Sequence, residues 1–424
     1  NLLTRVLLFQ QFSLSKRKAV RRGNGSVKLM ISVSEALKNI LALGQQLGSE
    51  QVELKNAVGR ILTEAVVANR DQPPFSASVM DGYAIRSKDL EKGISSWRVI
   101  GESGAGHGFV DQVKAEETTR IFTGAPMPAG TDQVIIQENV KKNDQTITLI
   151  NQSNSEKYVR AIGSDFSSGF RLDAPRRLTS RDIALMAAMN SPLVWVTKKP
   201  EVVIIGTGDE LVQPGEIPND DQIIASNTYG LAAMMQLVGA NPRMLPIAKD
   251  RLSSLAQVFS LIGDADLVVT VGGASVGDYD LVSQATEDYG ITKSFYKVLM
   301  RPGKPLMAGH LRDIPIIGLP GNPVSAMVCG EIFLVPLIKK MLGLPAVARL
   351  RNIAPIGHNL PQNGPREHYM RAKITEGTVY TNDLQDSSLL SVLVAADALV
   401  IRPENDGPLP KGSNIEYISL NSFD

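Results

Sequence analysis

A short apolar run followed by glycines and acidic residues, LVVTVGGASVGDYD at 267–280, constrains the fold more than any other stretch. Its first five residues are apolar or β-branched, which is typical of a strand buried on both faces of a parallel sheet. The glycines after it let the backbone approach a ligand closely and direct N–H groups at an anion. The turn matches neither a GxGxxG dinucleotide fingerprint nor a phosphate loop ending in GK[ST]. Alone, it indicates either an anion site or a plain strand-to-helix turn.

The surrounding segment alternates between strand and helix patterns, starting at Pro200. Strands are predicted at 202–205, 243–247, 267–271 and 314–317. Helices are predicted at 228–238 (with Asn227 as N-cap and Gly239 just after the end), 252–262 and 281–289. Such alternation with short loops predicts a mostly parallel sheet, whose ligands bind at the carboxyl ends of its strands.

The flanking regions have different patterns. Ser32 and Glu35 have the spacing of a capping box, and they open an amphipathic helix. Short apolar runs at 120–122, 133–137 and 146–150, separated by turn residues, predict a small β-rich domain, and a helix follows at 180–190. Beyond Pro345, runs at 371–374, 379–381, 398–401 and 415–418 predict a C-terminal β domain. The fold class is therefore α/β plus β, in several domains.

Composition excludes several classes of protein. With one cysteine and four histidines in 424 residues, the chain can form no internal disulfide and no cysteine-built metal site, and zinc is disfavoured. No apolar run approaches the roughly 20 residues that cross a bilayer. We expect no membrane partner and a cytoplasmic location.

Charge is distributed unevenly. The first 34 residues carry seven Lys and Arg and no acidic residue, which leaves 37 basic against 43 acidic side chains, or −6, in the rest of the chain. We expect residues 1–29 to be a disordered arm or translated upstream sequence; an organelle presequence is the alternative. The acidic body argues against a nucleic-acid partner.

Polar residues follow several of the predicted strands. Gly206 and Gly208 flank Thr207, and Asp209 and Glu210 come next. The second strand leads to Lys249 and Asp250. Carboxylates at one edge of a sheet fit a Mg²⁺ ion that bridges them to phosphate oxygens. Individually, these acidic residues could equally begin helices, where carboxylates are favourable.

Cations and a helix start lie near the last strand of this segment. MRPGKP supplies Arg301 and Lys304, and GLPGNPVS places Asn322 and Pro323 at a helix N-terminus, which favours anions. Together they predict a basic pocket beside the carboxylates. The two cations could also be ordinary surface charges.

Six motifs in this order resemble those of the molybdopterin molybdenumtransferases, a family related to gephyrin and the plant Cnx E domains. They are VMDGYA, FTGAPMPAGTD, IIGTGDEL, TVGGASVGDYD, RPGKP and GLPGNPVS, and the likeness runs from about Ile31 to the C-terminus. The resemblance implies insertion of molybdate into adenylylated molybdopterin with loss of AMP. It also implies an elongated homodimer whose cleft lies between the α/β domain of one subunit and the β-rich domain of the other.

The resemblance also implies domain boundaries: an elongated linker domain at 30–70 and 164–198, a β-rich domain at 71–163, the α/β molybdopterin-binding domain at 199–345, and a C-terminal β-barrel-like domain at 346–424. A transient contact with the molybdopterin adenylyltransferase is a further expectation.

Site residues carried over from the family fall into three groups. The catalytic and metal-binding group is Asp81, Thr123, Asp165, Glu210, Asp250 and Asp280, with Mg²⁺ held by Asp81, Asp165, Glu210 and Asp250. The pterin group is Gly206, Thr207, Gly208, Gly272, Gly273, Ser275 and Gly277. The molybdate group is Arg301, Lys304, Pro320 and Pro323. On composition alone, Asp81, Thr123 and Asp165 would be ordinary turn residues.

One stretch departs from the family pattern. LQDSSLLSVL at 384–393 stands where the family commonly has a glycine-containing turn, so the roles of Ser387 and Ser388 stay open.

Two rival functions are an adenylyltransferase, which shares the α/β domain but has no MDGYA or TGAPMP motif, and a gephyrin-like scaffold.

Overall fold

The computed structural model describes residues 30–151, 156–272 and 290–421. The predicted helix at 281–289 and four predicted site residues, Gly273, Ser275, Gly277 and Asp280, lie outside these ranges. The chain divides into two compact units. The first, here the α/β unit, comprises Asn1–Gly44, Glu201–Leu337 and Val347–Asp424; the second, the β-rich unit, comprises Gln45–Pro200 and Ile338–Ala346.

The first helix of the α/β unit, α1 (Val33–Leu43), begins where the capping residues predict it. The Ser32 side chain accepts a hydrogen bond from the Glu35 backbone N–H at 3.2 Å. Val33, Ala36, Ile40 and Leu43 are buried. Their spacing of three and four residues forms the apolar stripe expected of a helix that packs on a core.

The β-rich unit consists mainly of short antiparallel strands. The elements are β1 (Ser49–Glu53), β2 (Ile61–Leu62), β3 (Val66–Val67), β4 (Ala77–Ser78), β5 (Gly82–Ile85), α2 (Ser87–Glu91), β6 (Ser96–Ser103), β7 (Glu117–Ile121), β8 (Gln133–Ile136), β9 (Val140–Asn143), β10 (Thr146–Leu149), β11 (Val159–Arg160), β12 (Arg171–Leu172), β13 (Arg176–Arg177), α3 (Ser180–Ala188) and β14 (Leu193–Thr197). Two sheets run in the orders β1-β14-β2-β13 and β8-β5-β7-β6-β10-β9, and β4 pairs with β11 and β3 with β12. Tyr83, Ile85, Trp97, Ile135 and Ile147 form the core of the second sheet.

The α/β unit is built on a mixed six-stranded sheet. The elements up to the helices after this sheet are β15 (Glu201–Gly206), β16 (Leu211–Val212), β17 (Ile223–Ile224), α4 (Asn227–Val238), β18 (Asn241–Met244), α5 (Leu252–Phe259), β19 (Leu267–Val271), β20 (Ile291–Tyr296), β21 (Met300–Arg301), β22 (Met307–Leu311), β23 (Ile314–Leu319), α6 (Pro323–Cys329) and α7 (Val335–Met341), whose residues from Ile338 onward belong to the β-rich unit. The strand order is β18-β15-β19-β23-β22-β20. The first four strands are parallel, as predicted, and their cluster of buried residues includes Val203, Ile205, Val268 and Ile316. Gly330–Leu334 joins the last two helices through a π-helical turn.

Two antiparallel strands of this sheet, β20 and β22, were not predicted. The pattern of β22 is weak because Gly309 lies inside it, and a glycine weakens the strand signal. Here the glycine permits close contact between strands, since a Cβ atom on it would lie 1.9 Å from the Thr292 carbonyl oxygen. Among the boundaries that differ from prediction, β18 ends at Met244 and α5 at Phe259, each three residues before the predicted end.

The C-terminal strands of the α/β unit close into a ring. They are β24 (Asn352–Pro355), β25 (Glu367–Thr375), β26 (Thr378–Thr381), β27 (Ala398–Arg402) and β28 (Asn414–Ser419), and the short helix α8 (Leu390–Val394) precedes β27. The ladder runs β26-β25-β27-β28-β24. A bridge between Ile356 and Val379 then connects the end of β24 back to β26. The strand β21 joins this sheet by pairing with β25, so the segment carrying Arg301 is fixed to the C-terminal strands.

No helix in the part of the chain that the structure describes is long and apolar enough to cross a membrane.

Candidate functional site

Three parallel strands of the α/β unit end at the same level. Gly206 pairs with Val271, and Val271 pairs with Leu319. The tips of β15, β19 and β23 therefore share one edge of the sheet, as the sequence predicts. Gly272 follows β19 with a φ of 90°, and a Cβ atom there would lie 2.5 Å from the Thr207 carbonyl oxygen. The tips approach closely because this position has no side chain.

A cavity of about 370 Å³, here the strand-end cavity, opens at this edge. Predicted site residues Gly206, Thr207, Glu210, Gly272 and Pro323 line it. Its described lining contains no Lys or Arg. Its polar side chains are one carboxylate, that of Glu210, and the hydroxyl and amide groups of Thr207, Ser226, Asn227, Thr228, Asn322 and Ser388.

Helix α4 also contributes to the strand-end cavity, in a way the sequence did not indicate. Asn227 is the first residue of the helix, and Ser226 occupies the N-cap position, so the predicted cap was wrong by one residue. The Asn227 side chain instead donates a hydrogen bond to the Gly321 carbonyl at 2.6 Å. This bond connects the start of α4 to the loop after β23.

A second cavity of about 280 Å³, here the basic cavity, lies within the same unit. Arg301, Lys304 and Arg366 line it, together with Asn322 and Ser387. The sequence analysis did not identify Arg366, which stands in a Gly-Pro-Arg turn just before a strand. Pro320, also predicted here, is buried at the end of β23.

The two cavities meet at Asn322, which lines both. Its Nδ2 donates to the Ser387 hydroxyl at 2.9 Å, and the Val324 backbone N–H donates to the Ser387 carbonyl at 3.1 Å. Ser387 lines the basic cavity and Ser388 the strand-end cavity. The stretch that departs from the family pattern therefore forms the junction between them.

Positive charge around the basic cavity is strong enough to act on a neighbouring histidine. His368 is 7% exposed. Burial lowers its pKa to about 4, and the guanidinium groups of Arg301, Arg371, Arg366 and Arg402 add to the effect. This histidine is neutral at pH 7, because a further positive charge is unfavourable there. The same positive charge favours the binding of an anion in the basic cavity.

The carboxylates Asp209, Glu210 and Asp250 lie near one another on the α/β unit. The Asp250 backbone N–H donates to the Asp209 carboxylate at 3.2 Å. Partial burial raises the pKa of Asp250, and the negative charges of Asp209 and Glu210 raise it further. Lys249 donates to the backbone carbonyls of Asp209 and Leu211. The acidic groups thus stand close enough to repel one another.

We expect Asp250→Asn to increase stability slightly at pH 7. The raised pKa means that the folded state disfavours the ionised carboxylate, so stability is lost as pH rises through the folded pKa. The variant has no such charge and avoids this loss. We expect its gain in free energy of unfolding to be less than about 1 kcal/mol, because solvent screens the charges. Thermal unfolding should be measured at a series of pH values. The difference in stability between the variant and wild type should grow as pH rises above about 4, the ordinary pKa of an Asp side chain. Asp313→Asn, in an exposed turn, is the control, and an equal gain there would contradict the explanation.

The β-rich unit contributes a separate pair, Asp81 and Thr123. One carboxylate oxygen of Asp81 accepts hydrogen bonds from the Thr123 backbone N–H at 2.8 Å and from its hydroxyl at 2.9 Å. These bonds, and more weakly the charge of Arg120, lower the pKa of the exposed Asp81 carboxyl. The bonds fix Asp81 as an ionised, accessible group.

Asp165 is also in the β-rich unit, where its backbone N–H donates to the Gln72 carbonyl at 3.0 Å. The four predicted metal ligands are therefore divided, with Asp81 and Asp165 in one unit and Glu210 and Asp250 in the other. Among the residues with described positions, no group of three or more His, Cys, Asp or Glu side chains could hold a metal ion.

Comparisons with known proteins cover nearly the whole chain. Residues 31–190 match the MoeA N-terminal region (domain I and II), 203–340 a probable molybdopterin binding domain, and 354–420 the MoeA C-terminal region (domain IV). A molybdopterin molybdenumtransferase from a Nostoc species is 35% identical over 92% of this chain and 94% of its own length. One from Haemophilus influenzae is 31% identical over 88% and 94%.

A solved structure agrees with these sequence matches. The molybdopterin biosynthesis MoeA protein from Pyrococcus horikoshii superimposes with a TM-score of 0.79 at 27% identity, covering 93% of this chain and 99% of that one. The identity and the near-complete coverage decide the assignment: this chain belongs to the molybdopterin molybdenumtransferase family.

Proposed function

We propose that this enzyme, which acts in molybdenum cofactor biosynthesis, inserts molybdate into adenylylated molybdopterin and releases AMP. The observation that carries the proposal is the pair of adjoining cavities with different chemistry. The strand-end cavity has hydroxyl and amide side chains and no Lys or Arg in its described lining, and the basic cavity contains three cationic side chains. The first cavity would take the pterin with its phosphate, and the second would take a tetrahedral oxyanion.

The cationic side chains would bind and orient the oxyanion. Arg301, Lys304 and Arg366 approach the basic cavity from two segments that β21 and β25 hold side by side. Arginine and lysine provide charge-assisted hydrogen bonds to such anions. Because the cavity opens next to Asn322, a bound molybdate would lie beside the pterin site, which favours transfer over release.

The carboxylates near the strand ends would hold a Mg²⁺ ion. Glu210 and Asp250 offer oxygen ligands. Burial raises the pKa of Asp250, and the negative charges of Asp209 and Glu210, which a cation would offset, raise it further. Mg²⁺ commonly binds one or two carboxylates together with phosphate oxygens and water. When bound, it would neutralise charge on the phosphoanhydride as AMP leaves.

We propose further that the β-rich unit of a second subunit completes the site in a homodimer. Asp81 and Thr123, with Asp165, would then supply the polar groups opposite the α/β unit. This proposal rests on the exposed, ionised state of Asp81 and on the family resemblance of its motif.

The test is molybdate-dependent release of AMP from adenylylated molybdopterin by the purified full-length chain with Mg²⁺. We expect AMP and molybdenum-loaded pterin to appear in equal amounts, and neither without molybdate. Consumption of ATP with the non-adenylylated pterin would instead support the adenylyltransferase alternative. Absence of AMP release under all these conditions would exclude the proposed reaction.

A further inference from the structure

The segment at 384–388 forms one wall of the basic cavity but belongs to no helix or strand. Gln385, Asp386 and Ser387 line that cavity, and Ser388 lines the neighbouring one. A wall without regular secondary structure needs other bonds to hold its side chains in place. The structure supplies them mainly through two residues, Gln385 and Arg371.

The Gln385 amide is inserted into the ladder between β25 and β26. Lys373 pairs with Tyr380, so the next pair on the same side would be Arg371 and Asn382. A hydrogen-bonded pair of this kind exchanges two bonds, and one of them is present, from the Asn382 N–H to the Arg371 carbonyl at 2.9 Å. In place of the reciprocal bond, the Arg371 N–H donates to Gln385 Oε1 at 3.0 Å, and Gln385 Nε2 donates to the Asn382 carbonyl at 2.8 Å.

A third bond completes the insertion, since Gln385 Nε2 also donates to the Arg371 carbonyl at 2.9 Å. The side-chain amide thus acts as an extra peptide unit at the point where β26 ends. An amide suits this position because it offers an acceptor and two donors. A carboxylate of the same shape would place an oxygen against two carbonyls.

The Arg371 side chain holds the residues on either side of Gln385. Its guanidinium is buried and donates to the carbonyls of Leu384 and Asp386, both at 3.0 Å. Further along, Ser387 is bonded to Asn322 and Val324 of the α6 start. The wall is therefore anchored to the C-terminal ring at one end and to the parallel sheet's loop at the other.

We infer that Gln385 is a positioning residue for the oxyanion: its inserted amide sets where Asp386 and Ser387 stand in the basic cavity. The inference rests on the proposed function, because it assumes that molybdate binds there. Gln385 acts through its neighbours and not by chemistry of its own. At metal sites, loss of the bonds that orient the ligands weakens binding about 10- to 100-fold, and we expect an effect of similar size on the oxyanion here.

The experiment compares Gln385→Met and Gln385→Glu with wild type, and with Gln362→Met as a matched control in an exposed loop of the same ring. Methionine keeps the length of the side chain but removes all three bonds. We expect the KM for molybdate to rise about tenfold or more in both Gln385 variants. The KM for the pterin substrate should change little, and the control should behave as wild type. Calorimetric titration with molybdate alone should show the same loss of affinity.

The outcomes separate the two claims. If wild type neither binds molybdate nor releases AMP, the proposed function fails, and the inference fails with it. If wild type is active and both Gln385 variants keep its molybdate affinity, only the inference is overturned. If the KM values for both substrates rise in parallel with a drop in melting temperature, Gln385 has a general structural role, and the positioning claim is also overturned.

Discussion

Asp81→Asn is expected to lower the kcat/KM of molybdate-dependent AMP release by about 10²–10³, the usual effect of removing one preorganised electrostatic group. Asparagine keeps the oxygen that accepts the two bonds from Thr123, at 2.8 and 2.9 Å, so the loop should keep its conformation. What it loses is the negative charge. The lowered pKa of Asp81 means that this charge is present throughout the physiological pH range.

The control for this prediction is Asp144→Asn, in a turn of the same sheet where φ is 49°. Asparagine tolerates this backbone conformation well, so we expect wild-type activity. Glu210→Ala tests the α/β unit in the same assay and should abolish AMP release. Full activity of the Asp81 variant, with a native circular dichroism spectrum, would remove that residue from the site.

Removal of one partner of a buried ion pair should cause the largest loss of stability. Glu331, in the π-helical turn, and Arg349 are each 6% exposed, and their charged atoms lie 3.3 Å apart. Arg349 also donates to the Ser419 carbonyl at the end of β28, at 3.1 Å. Removing one partner, as in Glu331→Leu, leaves the other charge buried, and we expect a loss of about 3–5 kcal/mol.

The double variant Glu331→Leu/Arg349→Met should lose less than either single variant, because no uncompensated charge remains. Hydrogen exchange of the β28 backbone amides in increasing urea measures the free energy of unfolding of the α/β unit in each variant. The control is Arg351→Met, whose bond to Glu416 at 2.8 Å is solvent-exposed and should contribute at most about 1 kcal/mol. The explanation would be contradicted if the double variant lost as much free energy of unfolding as the two single variants lose together.

Elements with strong local signals were predicted well. The runs at 202–205 and 267–271 consist of apolar and β-branched residues because both faces of a parallel strand are covered, and the sequence shows this directly. Ser32 begins its helix as predicted, and Gly239 ends α4 with a φ of 119°. The six motifs likewise indicated the family, which the comparisons confirm. The four-domain boundaries and the individual catalytic roles stay predictions.

Signals that depend on distant partners were missed. The glycine in β22 is explained only by the carbonyl of Thr292 on the neighbouring strand. Arg366 resembles any arginine in a turn until the pairing of β21 with β25 brings it to Arg301. Gln385 gave no signal at all, because its bonding partners are set by where β26 ends.

The sequence by itself determined the alternation of strands and helices, the chemistry available at each strand end, and the family. These properties are local, since they follow from residue type and spacing along a few turns of chain. Only the tertiary structure decided which strand ends meet, how the C-terminal ring closes between Ile356 and Val379, and which cations share a cavity with Ser387. Those outcomes depend on contacts between residues far apart in the chain, and such contacts leave no periodicity that a sequence could show.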